Sequence, residues 1–221
     1  MPDKSPSNDF IFIEEDNSKK IHDRILSLVA DEIPSYTGIQ PKDIQVVTPQ
    51  QEGPLGAKQL NIDIQKSVNP EGPELRSGER IFRLVDRVMQ KSNSSARNTY
   101  NGETGWISNI DTEAQNLEVT FFDGKKSIYG RKDLKELSLA YATTVHKLQG
   151  SETDYMVMPM TMSHKNMLYR NLLYTGISRA KKLCVLVGED KAIKTAIDNP
   201  APSIRNSNFN HRLKENIPSP K

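Results

Sequence analysis

The first apolar run, Phe10-Ile11-Phe12-Ile13, is short and continuous and predicts a buried strand, behind which Ile21, Ile25, Leu28 and Val29 recur at helical spacing. Pro34 and Gly38 are expected to break that helix. Ile44-Gln45-Val46-Val47 predicts the next strand, Thr48-Pro49 opens a loop with glycines at 53 and 56, and Leu60, Ile64 and Val68 mark another helix. Two prolines and two glycines between Asn69 and Gly78 then give the composition of a linker.

From 81 to 137 the period shortens. Runs at Phe82 to Met89, Gly105 to Ile110, Leu117 to Phe122 and Lys126 to Tyr129 are punctuated by Asn101-Gly102 and Asp123-Gly124. Asp-Gly between alternating apolar runs is a strong hairpin signal, because both residues tolerate the positive φ of a tight turn. A small β-barrel is expected here, inserted into an α/β domain formed by residues 9–80 and 138–198. Near-continuous apolar strands resume at Leu139-Ala140-Tyr141-Ala142, Tyr155-Met156-Val157-Met158 and Leu183-Cys184-Val185-Leu186-Val187. Strands of this type suit a parallel sheet covered on both faces. Residues 1–8 read as a disordered lead or an expression remnant, and 199–221 as a loosely held tail.

Composition changes this picture little: 221 residues with 35% hydrophobic and 26% charged side chains are those of a globular domain. A net charge of +2 excludes a binder that works by bulk electrostatics, so any contact with nucleic acid must come from local placement. No apolar run reaches the roughly 18 residues needed to cross a membrane. The N-terminus lacks the basic-then-apolar pattern of a secretory signal, which leads to the expectation of a cytoplasmic protein with no membrane partner. Cys184 is the only cysteine and sits in an apolar run, as a buried structural thiol does.

Two segments concentrate chemistry. Ala142 to Glu152 leaves a strand and gathers Thr143, Thr144, His146, Lys147, Gln149, Gly150 and Glu152 into one turn. In open α/β sheets ligands lie beyond the carboxyl ends of strands, where such donors meet phosphates. Spacing alone leaves open the alternative of a threonine N-cap beside a solvent-facing Lys147. Asn171 to Lys182 predicts a helix with Leu173, Ile177 and Ala180 on one face and Thr175, Arg179 and Lys182 on another. An arginine so fixed suits the charge of a transferring phosphoryl group, and equally an ordinary surface ion pair.

Together, Thr144-Val145-His146-Lys147-Leu148-Gln149-Gly150-Ser151-Glu152 and Leu172-Leu173-Tyr174-Thr175-Gly176-Ile177-Ser178-Arg179-Ala180-Lys181 resemble motifs V and VI of RecD-like superfamily 1 DNA helicases. Ile44 to Pro49 with Gly53-Pro54-Leu55-Gly56 is similar to motif IV. Asp86-Arg87-Val88-Met89-Gln90, Tyr100 to Gly105 and Phe122-Asp123-Gly124 fall where an SH3-like barrel interrupts the family's second RecA-like domain. The resemblance implies that Arg179 reaches the ATP γ-phosphate, that Glu152 lies near the ribose, and that Gln149 and Gly150 shape the same turn. It implies contacts to single-stranded DNA from Thr143, Thr144, His146, Lys147 and Thr175. Two positions depart from the pattern: Gln50-Gln51-Glu52 precedes Gly53 where relatives carry a basic residue, and Val85-Asp86 replaces a Gly-Asp pair.

No Gly-x-x-x-x-Gly-Lys-Ser/Thr occurs; at Gly124-Lys125 the first glycine position is Val119 and Lys126 follows. The expected fold is therefore a RecA-like, P-loop-NTPase-type parallel sheet lacking its own P-loop. The expected function is the C-terminal motor domain of a 5′–3′ DNA repair helicase. ATP and Mg²⁺ would serve the intact enzyme only, with none expected on this chain alone, which would be inactive in isolation. Its partners would be single-stranded DNA, an N-terminal RecA-like domain and possible further subunits of a repair complex. A stand-alone binding module and the helicase part of a conjugative relaxase are the alternatives.

Overall fold

The structure, a computed structural model, describes residues 9–148 and 150–200; the expected lead at 1–8, the tail from 201 and Gln149 lie outside the described residues. One sheet is five-stranded and parallel. It comprises β1 (Phe10–Glu14), β2 (Ile44–Thr48), β10 (Ala142–Thr144), β11 (Thr153–Met160) and β12 (Ala180–Gly188), in the order β1-β12-β11-β2-β10. Both faces are covered, which is why its strands read as continuous apolar runs. On one face Ile44, Val46, Val157 and Val185 pack against Ile21 and Ile25 of α1 (Ser18–Ser27) and Leu60 and Ile64 of α3 (Ala57–Val68). On the other, Val47, Met156, Met158 and Leu186 meet Leu172 and Leu173 of α4 (Arg170–Ile177) and Ala192 and Ala196 of α5 (Asp190–Asp198). Cys184 belongs to this second core, and burial pushes its thiol up to about 12.

Pro34 does not end the first helical stretch. The chain widens into a π-helical turn at Leu28–Glu32 and continues as α2 (Ile33–Thr37), with Pro34 directly after the widened turn. Gly38 then closes α2 in the left-handed conformation.

The stretch with linker composition contains a strand. β3 (Glu74–Ser77) and β4 (Arg80–Arg83) form an antiparallel hairpin. A second antiparallel sheet follows, made of β5 (Arg87–Gln90), β6 (Thr104–Asp111), β7 (Asn116–Phe121), β8 (Lys126–Gly130) and β9 (Leu137–Leu139) in the order β8-β7-β6-β5-β9. Val88, Ile107, Leu117, Val119, Phe121 and Tyr129 fill its interior. The run Phe82 to Met89 is not one strand. It breaks at Val85, whose φ of 72° turns the chain from β4 into β5.

Leu139 to Ala142 likewise divides, because its two ends hydrogen-bond in different sheets. Leu139 pairs with Val88 and Ala140 N donates to Arg87 O (2.9 Å), whereas Tyr141 O accepts from Val46 N (2.9 Å) and Ala142 enters the parallel sheet. β10 is the edge of that sheet. Its outer backbone groups at Ala142 are met by the buried Asn61 side chain, which donates to Ala142 O (2.7 Å) and accepts from Ala142 N (3.0 Å). An edge strand of three residues is thereby satisfied without another strand.

Candidate functional site

The turn that follows β10 is stitched to it by Lys147 N and Leu148 N, both donating to Thr144 O, while Val145 and Leu148 anchor it in the core of the α4–α5 face. Those two apolar anchors leave His146 and Lys147 exposed between them. Thr143 and Thr144 are buried, since the alternation of a strand sends successive side chains to opposite covered faces. Thr143 Oγ1 has no hydrogen-bond partner among the described residues. The turn thus brings His146 and Lys147 to solvent together and withdraws the two threonines beneath them.

Opposite Lys147 stand two turns of the antiparallel sheet. Asn101, Gly102, Glu103, Thr104, Phe121, Phe122 and Asp123 face Lys147, Gly150 and Ser151 across an open cleft of about 390 Å³. Phe122 is 48% exposed, meets Trp106 in a tilted pair with centroids 5.6 Å apart and carries the Arg87 guanidinium 4.9 Å from its ring. Near this turn, Lys91 has a lowered pKa, chiefly from burial and further from the positive charges of Arg80 and Lys147. Lys91 is thus close enough to both Arg80 and Lys147 to feel their charge. In the sequence, Asn101-Gly102 and Asp123-Gly124 signalled only hairpins. Phe122 and Lys91 carried no signal that they would come near Lys147.

Arg179 is not on a helix. α4 ends at Ile177, Ser178 N and Arg179 N close the last turn on Tyr174 O and Gly176 O, and Arg179 O accepts from Thr153 N (2.9 Å) as β12 begins. Pairing with β11 captures the chain here, so Ala180 and Lys182 belong to a strand, and the helical faces drawn through them do not exist. Arg179 is half-buried and its Nε donates to Thr175 O (3.3 Å), so half-buried Thr175 steadies the guanidinium through its carbonyl.

Glu152 precedes Thr153 at the same edge. Its carboxyl lies below the usual range because Lys181 hydrogen-bonds and pairs with it at 2.6 Å, with a further contribution from Arg179. Both residues stand at the amino ends of β11 and β12, the reverse of the expected carboxyl-end site. The registers Thr144–Thr48, Ile44–Tyr155 and Ala180–Thr153 separate Thr144 from Thr153 by six levels, about 20 Å at ~3.3 Å per residue. One segment, 145–152, therefore runs from the cleft to the arginine edge. Gly150, with φ of 85°, turns it near the end. Before Gly53, Glu52 points outward at Lys58 (3.7 Å), so the cation held there belongs to α3. Among the described residues no cluster of acidic, histidine or cysteine side chains could hold a metal, and no helix is long and apolar enough to cross a membrane.

Two family models match: the SH3 domain of ATP-dependent RecD-like DNA helicases over residues 60–121, and the UvrD-like helicase C-terminal domain over 139–187. The chain is 35% identical to the ATP-dependent RecD2 DNA helicase of Deinococcus radiodurans over 71% of its own length and 21% of the relative's. It is 26% identical to the RecBCD enzyme subunit RecD of Mycolicibacterium smegmatis, over 73% of this chain and 28% of that one. It therefore spans between about a fifth and three tenths of these relatives. A Pif1 helicase from Bacteroides, crystallised with ADP-AlF3 and single-stranded DNA, superposes with a TM-score of 0.55 at 18% identity, covering 90% of this chain and 51% of the other, a likeness of fold.

A covered parallel sheet interrupted by an SH3-like barrel, with an arginine at the amino edge and no phosphate-binding loop in its sequence, is a RecA-like helicase fold. The chain carries a RecD-like helicase SH3 domain and a UvrD-like helicase C-terminal domain, and is similar to a C-terminal part of RecD and RecD2 helicases. Neither the stand-alone module nor the relaxase reading is favoured by these matches.

Proposed function

We propose that this chain supplies one wall of the ATP site and part of the single-stranded DNA track of an ATP-dependent 5′–3′ DNA helicase active in repair, the other ATP wall coming from an N-terminal RecA-like domain. The observation that carries the reading is the single segment 145–152, which has exposed Lys147 at an aromatic-flanked cleft and Glu152 beside Arg179 at the amino edge of the sheet. Arg179 fits a nucleotide's terminal phosphate: a half-buried, permanently charged fork with Nε held by Thr175 O and its remaining N–H groups without an acceptor among the described residues. Glu152, two residues beyond Gly150, would face the sugar once Lys181 yields. ATP with Mg²⁺, bound between the two domains, would supply the energy of domain closure. This chain's part is to place positive charge where phosphoryl negative charge develops.

On the other side, Lys147 and His146 would hold the strand through its phosphates, with Thr143, Thr144 and Thr175 acting from beneath as supports of the turn and of Arg179. Contacts of this kind position a strand without reading its sequence. The deciding experiment is Arg179→Ala in the longer protein that contains both RecA-like domains. DNA-stimulated ATP turnover should fall about 10³-fold, as for loss of an arginine finger, with DNA affinity unchanged. A parallel loss of both would make Arg179 a residue of folding and defeat the assignment.

A further inference from the structure

The barrel is joined to the parallel sheet by two crossings, one leaving α3 through the β3–β4 hairpin and one returning from β9 into β10. Both meet at Asp86, a carboxylate with no exposed surface. Its Oδ1 accepts from Asn69 Nδ2 (2.7 Å) and Tyr141 Oη (3.0 Å), and its Oδ2 from Arg83 N (2.7 Å) and Gln65 Nε2. All four partners are donors, so the ionised form matches the site despite the burial that raises its pKa. Burial and the neighbouring Asp86 charge likewise keep Tyr141 protonated and donating.

Backbone hydrogen bonds show what these four bonds join. Asp86 O accepts from Ile107 N (3.0 Å) and Val85 N donates to Ile107 O (2.9 Å), so Asp86 is sewn into β6 of the barrel. Tyr141 O accepts from Val46 N in the parallel sheet, and Gln65 and Asn69 lie in and just beyond α3. One side chain thus ties a barrel strand to the helix and to the strand that continues, two residues later, into Thr143 and the Lys147 turn. Phe122 and Asn101 on the barrel face that turn across the cleft and share no direct bond with it among the described residues.

We propose that Asp86 is a positioning residue that holds the barrel wall of the cleft at a set distance from the Lys147 turn and so controls its grip on single-stranded DNA. The grip rests on the helicase reading above; the mechanical joint does not. Removing one donor or reversing one acceptor lets the barrel pivot about its two crossings while its own core, Val88 to Tyr129, stays packed.

The test places spin labels on exposed positions of the two bodies, Thr112→Cys and Lys191→Cys, in the full chain, buried Cys184 remaining unlabelled. The interspin distance distribution is measured without DNA for Asp86→Asn and, in case that variant fails to fold, for Tyr141→Phe and Gln65→Met. Emission of Trp106, the chain's only tryptophan, reports the barrel itself. A broadened distribution with unchanged Trp106 emission and denaturation of the barrel supports the joint. An unchanged distribution in the folded variants overturns it, as does loss of the barrel's own fold in all three, which makes Asp86 an ordinary core group. Affinity for a labelled oligonucleotide is read in parallel. It should weaken by up to about tenfold, because ordering of the wall that one charged hydrogen bond supplied must then come from binding. If distances broaden while affinity holds, control of grip is overturned; if the unmodified chain binds no oligonucleotide at low salt, the DNA reading fails instead, whatever the distances show.

Discussion

Val85 has a φ of 72°, in the left-handed region that favours glycine. A β-branched side chain crowds its own carbonyl there, at a cost of roughly 1–2 kcal/mol, partly offset by the lower entropy of an unfolded chain without that glycine. Val85 is 45% exposed and loses little packing when removed. Val85→Gly should therefore stabilise the chain by about 0.5–1 kcal/mol in a denaturant titration, and a loss of stability would show that the valine methyls matter more than the strain. His164 offers a second test. It is buried in the 3-10 turn at Met162–Met167, with Nδ1 unpartnered among the described residues, and burial lowers its pKa to about 4 from 6.5. A histidine depressed in the fold takes up its proton more readily when unfolded, so stability falls as pH drops below 6.5 toward 4. About 2 kcal/mol should be lost between pH 7.5 and 5. His164→Gln should flatten that part of the profile, and a variant with the same slope would point to another group.

β6 and β7 approach so closely at Gly105 that a Cβ there would stand 2.3 Å from Thr120 O and 2.7 Å from Phe121 Cα, both backbone atoms that cannot step aside. Gly105→Ala should therefore cost about 1–3 kcal/mol, the range for overpacked cores, and shift Trp106 emission, since Trp106 follows on the same strand. An unchanged denaturation midpoint would mean that the two strands slide without penalty. The elements themselves were largely legible in the periodicity, because a covered parallel strand and an amphipathic helix each write their burial into residue spacing. Their ends were not. Ala140 and Tyr141 are apolar and helped suggest one strand from 139 to 142, yet the partners of their backbone groups lie in different sheets. Arg179 follows a helical pattern through Ala180, but pairing of Ala180 with Thr153 ends the helix early.

At the scale of the whole molecule, one turn joins the cleft to the arginine edge: Lys147 and Ser151 line the cleft, and Glu152, next along the chain, lies beside Arg179. DNA binding should fall steeply with added salt, because each phosphate contact releases counterions. Lys147→Ala should weaken binding and reduce the slope of log affinity against log salt by about 0.7, the value for one phosphate on a single strand. An unaltered slope would remove Lys147 from the track. From the sequence alone came the α/β class with its barrel insertion, the resemblance carried by residues 144–152 and 172–181, and the missing phosphate loop, because hydrophobic period and short motifs are properties of neighbours along a chain. Tertiary structure decided that Thr143 and Thr144 are buried, that Arg179 and Glu152 share the amino edge, that Phe122 faces Lys147, and that Asp86 gathers donors from α3, β4 and the return crossing. Those relations join residues up to 55 positions apart. They depend on which backbone groups find partners across sheets, a condition no local pattern encodes.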